Sequence, residues 1–358
     1  MYKHTISIAG AGPAGLTAAI NLARAGYGVI VHEQNPEVGM RFHEDFQAIE
    51  NWSSQEDLLT MFRRIGIKRD FYCRPINKVS SYGPRNSTQV STVQPIAYMV
   101  RRGCTEDTLD SSLKRQALES GVDLRLGSYL IEAEADIIAM GPRRARTLAV
   151  GIIFETDSEE CVALLLDDHL APKGYAYLLV AKGQGTLCSV LYEKFNRGKA
   201  CLEATISRFK DLLGIQIRNA RYFGGYGDFD LSRAATVEHR RYVGEAAGFQ
   251  DYLFGFGIRY AILSGYFAAT SMIEGSSYDK LCQDGLRSRL RTSLVNRYCY
   301  QFLGQSGYDI LVRLSGRAGD PRHFWTKIYT KPFLRMIAYP FAVRSSKRLP
   351  ASRFLETQ

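Results

Sequence analysis

Thr5-Ile-Ser-Ile-Ala9 runs directly into Gly10-Ala-Gly12-Pro-Ala-Gly15, and this stretch decides how the chain is read. The first five residues form a short β-rich run. A helical pattern follows the glycines, with Leu16, Ala19, Ile20, Leu22 and Ala23 on its apolar face. Gly26 stands where a glycine ends a helix, and Tyr27-Gly-Val-Ile-Val-His32 predicts a second strand closed by Glu33. Strand, glycine-rich turn, helix and strand together predict a dinucleotide-binding unit.

Each residue of that unit has a physical task. Gly10 permits the tight turn, Gly12 lets the backbone approach a pyrophosphate, and Gly15 allows close helix–strand packing. Pro13 and Ala14 open the helix, whose amino-terminal N–H groups and positive dipole end face the phosphates. Glu33 lies 18 residues after Gly15 and can accept from both hydroxyls of an adenosine ribose, with Gln34 beside it. An acid there favours FAD or NAD over NADP, and the motif alone does not choose between the first two.

Farther on, Arg241-Tyr-Val-Gly244-Glu245-Ala-Ala-Gly248 reads as a strand ending in an acid among small residues. Phe254-Gly255-Phe-Gly257-Ile258 then reads as a glycine-rich loop opening a helix. Glu245 could bind a ribityl hydroxyl, while the second helix amino-terminus faces a pyrophosphate or a flavin edge. A dehydrogenase holding one nicotinamide has no need of this element.

Taken together, GAGPAG, VGEAAG and GFGIRYAILSGYFAA resemble FAD-dependent oxidoreductases of the geranylgeranyl reductase group, within the hydroxylase-like flavoproteins. Arg101-Arg102-Gly103 with Leu109, Asp110, Leu113 and Ala117 resembles that group's RG-type helix. Ala135-Asp136-Ile-Ile-Ala-Met-Gly141 resembles the strand that returns to the dinucleotide sheet. Three positions depart from the pattern. Glu245 stands where Asp is usual, Met140-Gly141 where hydroxylases carry Asp-Gly, and Gly174-Tyr175-Ala-Tyr177 lacks the Trp and Pro of the family's aromatic strand. The resemblance covers about residues 1–280.

It implies an α/β fold with a Rossmann-like FAD-binding domain and an antiparallel-sheet substrate domain, to which the helical patterns beyond residue 280 add a helical C-terminal region. The expected boundaries are 1–75, 98–150 and 235–280 for the first, 76–97 and 151–234 for the second, and 281–358 for the third. It further implies FAD as cofactor, with Arg102 among the residues that hold it. The expected activity is reduction of C=C bonds in a prenyl or other lipophilic substrate. A flavin-dependent monooxygenase and a protein with structural FAD are the alternatives.

The middle of the chain carries apolar runs at 151–154, 162–166 and 175–180, punctuated by Asp167, Asp168, Pro172 and Gly174. They predict an antiparallel sheet followed by an amphipathic helix at 195–213. Tyr175 and Tyr177 share one strand face by the period of two, so both are candidates to line a substrate site. Arg41 follows the acid strand closely enough to neutralise a pyrophosphate. His43, with Glu44 and Asp45, is a candidate for acid–base work. The electron donor is unidentified, because no second nucleotide fingerprint occurs to hold NAD(P)H.

With 46% hydrophobic and 23% charged residues, the 358-residue chain has ordinary globular composition, which excludes disordered and collagen-like classes. Its net charge of +10 is localised. Residues 285–358 hold 14 Lys and Arg against Asp309, Asp320 and Glu356, a net +11 that leaves residues 1–284 at −1. Arginines interleave there with Trp325, Tyr329, Phe333, Tyr339 and Phe341. Helices are expected at 281–304 and 307–316, with Pro332 and Pro340 bracketing a short apolar stretch.

This basic end suits the surface of an anionic membrane, or alternatively a helical cap with solvated arginines. No nucleic-acid-binding signature accompanies it, so no nucleic acid partner is expected. Seven scattered cysteines without CxxC or Cys/His spacing predict no metal site and reduced thiols of the cytoplasm. The apolar start lacks a basic leader and a cleavage site, and no apolar run reaches 18 residues. Neither a signal peptide nor a membrane-spanning helix is expected.

Overall fold

The computed structural model describes residues 4–330, 332–346 and 352–353. Lys331 and the side chains of Phe333, Leu334, Arg335 and Met336, which belong to the basic C-terminal pattern, lie outside what it describes. Thr5–Ala9, helix Pro13–Arg24 and Gly28–Glu33 form the first right-handed unit, with Ile8 opposite Val31 in parallel register. Asp123–Leu126 adds parallel to one side. Ile137–Ile138 and Arg240–Tyr242 add parallel to the other, and Thr236–Val237 closes that edge antiparallel. Helices Pro13–Arg24, Leu109–Glu119 and Ile258–Glu274 bury Leu16, Ile20, Leu113 and Ile262 in one core with these strands.

A seven-stranded sheet forms the second layer system. Its order is Arg218–Gly227, Thr147–Glu155, Gln184–Leu191, Tyr175–Ala181, Cys161–Leu165, Lys78–Tyr82, Ser87–Ser91. It is antiparallel throughout except where Cys161–Leu165 runs parallel to Lys78–Tyr82. Along Tyr175–Ala181 the period of two sorts the faces. Ala176, Leu178 and Val180 pack with Leu202 and Phe209 of helix Gly198–Leu213, while Tyr175, Tyr177 and Leu179 face the opposite way, into a cavity. A three-stranded sheet of Phe46–Glu50, Ala97–Arg101 and Cys73–Ile76 stands between the two systems.

The C-terminal region is more regular than its sequence pattern suggests. Tyr278–Cys282 passes through a wide π turn, Gln283–Arg287, into Ser288–Tyr300. Gln305–Arg317, Pro321–Thr330 and Pro332–Ser346 follow. Pro340 does not bracket a short stretch; it lies inside the last helix. An interior proline weakens a helix by about 3 kcal/mol, so its packing partners, not its propensity, maintain this one. Strand Arg218–Gly227 is a second feature absent from the sequence reading, because Gly224 and Gly225 suggest a break where the backbone is extended.

Candidate functional site

Strand Thr5–Ala9 delivers the glycine turn to one end of a cavity of about 820 Å³. At Gly15 a Cβ would come within 2.1 Å of the Gly10 carbonyl oxygen, so no side chain fits. At Gly12 a Cβ would meet nothing within 4 Å. There the missing side chain leaves cavity open beside helix Pro13–Arg24, whose amino-terminus no side chain caps. That is the geometry of a pyrophosphate cradle: free N–H groups, a positive dipole end and room for the ligand.

Glu33 is held firmly at the cavity edge. Its Oε2 accepts from the Ala11 N–H at 3.0 Å, and its Oε1 accepts from the Asn35 backbone and side-chain amides at 3.0 and 2.7 Å. Three donors fix the carboxylate orientation and leave lone pairs toward the cavity that Glu33 and Gln34 line. The second helix amino-terminus lies across this cavity. Gly255, Gly257 and Ile258 line the cavity at the start of Ile258–Glu274, again with no side-chain cap. Gly244 and Glu245 form a tight turn beside them.

Glu245 is not a free acid. Arg41 pairs with its Oε2 and also donates to the Tyr226 carbonyl, so the two predicted cofactor residues neutralise each other at the cavity rim. Burial opposes the Arg41 charge, but Glu245 outweighs it and raises the guanidinium above its ordinary range. Arg102 is buried and bidentate to Asp110, at 2.7 and 2.8 Å, with its guanidinium 3.8 Å from the Phe42 ring centre. It lines the cavity through a locked side chain whose charge Asp110 balances, which makes it a rigid wall and a support for Phe42.

The cavity continues from the dinucleotide end into a chamber. Tyr175, Tyr177, Leu179, Val190, Val162 and Leu164 supply its floor, and Leu311, Val312 and Trp325 its roof. Trp52, Phe254, Phe256 and Trp325 join the loop before helix Ile258–Glu274 to the roof, by edge-on ring contacts of 5.2 to 6.5 Å and a tilted Trp52–Trp325 contact of 6.2 Å. The Tyr175 hydroxyl donates to the Phe254 carbonyl at 2.6 Å. Its proton is therefore engaged, and burial raises both tyrosines well above the ordinary phenol range. They shape the chamber as neutral, polarised walls.

His43 lies at the exposed end of the cavity, its ring 6.4 Å from Phe223, while its backbone N–H donates to the buried carboxylate of Asp45 at 3.1 Å. The structure thus brings Gly10, Gly12, Pro13, Ala14, Glu33, Gln34, Arg41, His43, Arg102, Tyr175, Tyr177, Gly244, Glu245, Gly255, Gly257 and Ile258 to one cavity. Gly15 stands behind it as a packing residue.

Two groups escaped the sequence reading. Phe223, Gly224, Gly225, Tyr226 and Gly227 line the cavity from an edge strand whose glycine richness is the signal for close backbone approach. Asp251 is buried in the loop before helix Ile258–Glu274, where it accepts from Ser293, Tyr329 (2.8 Å) and the Phe254 N–H (2.7 Å). It ties that loop to helix Ser288–Tyr300 and to the roof helix Pro321–Thr330, and no local pattern announces such a contact.

Two arginines of the basic C-terminal region are not solvated as a simple cap would have them. Arg297 is buried, stacked 4.0 Å from the Tyr192 ring centre and donating to the Lys173 carbonyl. Arg287 donates to the carbonyls of Leu231 and Arg233. Among the described residues, no group of three His, Cys, Asp or Glu could hold a metal ion, and no helix is long and apolar enough to cross a membrane.

Residues 8–51 match the family model of an NAD(P)-binding Rossmann-like domain. Over 370 aligned positions the chain is 24% identical to digeranylgeranylglycerophospholipid reductase 2 of Methanothermobacter thermautotrophicus, covering 87% of this chain and 91% of that protein. In structure it is similar to a geranylgeranyl bacteriochlorophyll reductase-like protein of Thermoplasma acidophilum. That match has a TM-score of 0.71 at 20% identity and covers 97% and 100% of the two chains. A flavin-dependent brominase superposes with a TM-score of 0.64 at 16% identity, over 97% and 100%. The chain therefore has the FAD-binding fold shared by flavoprotein reductases, halogenases and oxygenases, and its resemblance to the geranylgeranyl reductase group holds in motif, sequence and fold.

Proposed function

We propose that the protein is an FAD-dependent reductase that saturates C=C bonds of a prenyl or other lipophilic substrate. The observation that carries this reading is the continuity of the cavity: the groove built for a dinucleotide opens directly into a chamber walled by aliphatic and aromatic side chains. Bound FAD supplies the hydride chemistry, from N5 of the reduced flavin, and an external donor replenishes its electrons. The protein's own part is positioning. Glu33 and the two uncapped helix ends hold the cofactor's polar portions, while Tyr175, Tyr177, Phe254 and Trp325 align an apolar chain and exclude water.

Such a wall suits an alkene better than a charged substrate, because apolar contacts stabilise a prenyl chain by burial while an ion would lose its hydration uncompensated. The 24% identical reductase supports the same substrate class. The test is anaerobic. Protein loaded with FAD and reduced with dithionite should be reoxidised by a prenyl alkene, giving product richer by two hydrogens per bond. Oxygen-dependent hydroxylated product, with no saturated product under anaerobic conditions, would overturn the reading in favour of a monooxygenase.

A further inference from the structure

We infer that the outer face of helix Gln305–Arg317 is a docking surface for an anionic lipid bilayer, laid directly over the roof of the chamber. The inference rests on the reading above only for its purpose, delivery of a lipophilic substrate. The surface itself stands on the helix's two faces. Inward, Leu311, Val312 and Ser315 line the chamber, and Tyr308 is fully buried. Outward, Ile310 is 49% and Leu314 50% exposed, and Arg313 and Arg317 are exposed with them. Positions 310, 313, 314 and 317 follow the three- and four-residue spacing that places side chains on one helix face.

Charge identifies the occupant. The helix's one acid, Asp309, is 1% exposed and turned inward, accepting from the Arg85 and Asn86 N–H groups at 2.9 and 3.0 Å and from Arg85 Nε at 3.1 Å. Asp320 accepts the Arg322 N–H at the start of the next helix. The helix's own acid is thus spent internally, Asp320 lies beyond its end as the cap of the next helix, and the outer face of Gln305–Arg317 pairs apolar side chains with cations alone. Helix Pro332–Ser346 repeats the arrangement with exposed Ile337, Phe341 and Arg344. Exposed aliphatics among arginines fit the interface of an anionic bilayer, where the apolar groups enter the headgroup region and the cations meet lipid phosphates. Arginines serving a nucleic-acid backbone gain little from Ile310 and Leu314 placed between them, and an acidic protein partner would bind without any vesicle requirement.

The test uses the full-length, FAD-loaded protein and sedimentation with vesicles of phosphatidylglycerol and phosphatidylcholine, against vesicles of phosphatidylcholine alone. Binding is expected to the anionic vesicles only and to fall with added salt. R313E/R317E and I310S/L314S should each weaken it by about tenfold or more, while both variants retain bound flavin. Reduction of detergent-dispersed geraniol should be unchanged in both, which separates this surface from the chemistry. Equal binding to both vesicle types, or wild-type binding by both variants, overturns the assignment. Failure to reduce geraniol by the wild-type protein strikes the functional reading and leaves the vesicle result to stand alone.

Discussion

The dinucleotide groove and the roofed chamber are parts of one cavity built in opposite ways. In the groove, the deciding contacts are short in sequence: Glu33 to Ala11 across 22 residues, and Glu33 to Asn35 across two. Backbone groups do most of the binding, so glycine, a helix end and one acid suffice. In the chamber the contacts span the chain. Tyr175 reaches Phe254 across 79 residues, Tyr300 reaches the Gly174 carbonyl across 126, and Arg322 reaches the Asn51 carbonyl across 271. A site made of backbone geometry has a spelling; a site made of packed side chains from distant helices has only a pattern of apolarity.

That difference can be broken by substitution, beginning with the largest effect. Gly15→Val forces a side chain onto the Gly10 carbonyl and should abolish FAD retention altogether, read as loss of the flavin visible spectrum. Arg102→Ala strands the buried Asp110 carboxylate and should cost about 3–5 kcal/mol in denaturant unfolding. Arg102→Lys should recover only part of this, because an ammonium cannot bridge both oxygens.

The next two sharpen the contrast. Glu33→Ala should weaken FAD binding by about 1–3 kcal/mol in a fluorescence titration, with the chamber's substrate affinity at saturating FAD unchanged. Trp325→Ala should do the reverse, raising KM for a prenyl substrate about tenfold or more while FAD affinity holds. Parallel changes in both constants for both variants would remove the division between groove and chamber.

The smallest effect is one of pH. Glu50 is buried, and desolvation pushes its carboxyl up to about 7 although Arg259 pulls the other way. The unfolded chain therefore releases this proton first, and the folded state loses stability as pH rises from about 4.5 to about 7. Glu50→Gln should flatten that part of the stability curve, by on the order of 1–3 kcal/mol between its ends. A variant as pH-dependent as the wild type would assign the slope to other groups.

Particular residues mark how far the sequence could be read. The run from Thr5 to Glu33 was legible because its residues serve backbone conformations that few other residues tolerate. The alternation at 175–180 was legible because a strand sorts its faces by two, and Tyr175 and Tyr177 do face the chamber together. Glu245 was legible as an acid in a tight turn among small residues but not as the partner of Arg41, since 204 residues separate them. Strand Arg218–Gly227 and the helix through Pro340 went unread because tertiary packing overrides their poor local propensity.

The sequence by itself determined the dinucleotide unit, the second glycine-rich helix start, the strand faces and the place of the net positive charge. These follow from short-range stereochemistry and from counting. Only the tertiary structure decided that Asp251 joins the loop before helix Ile258–Glu274 to the roof, that Arg297 is buried while Arg313 and Arg317 are exposed, and that the basic region closes the chamber. The reason is physical: an arginine's charge is written in the sequence, but whether water, a carbonyl or an aromatic ring receives it depends on which surfaces the folded chain brings together.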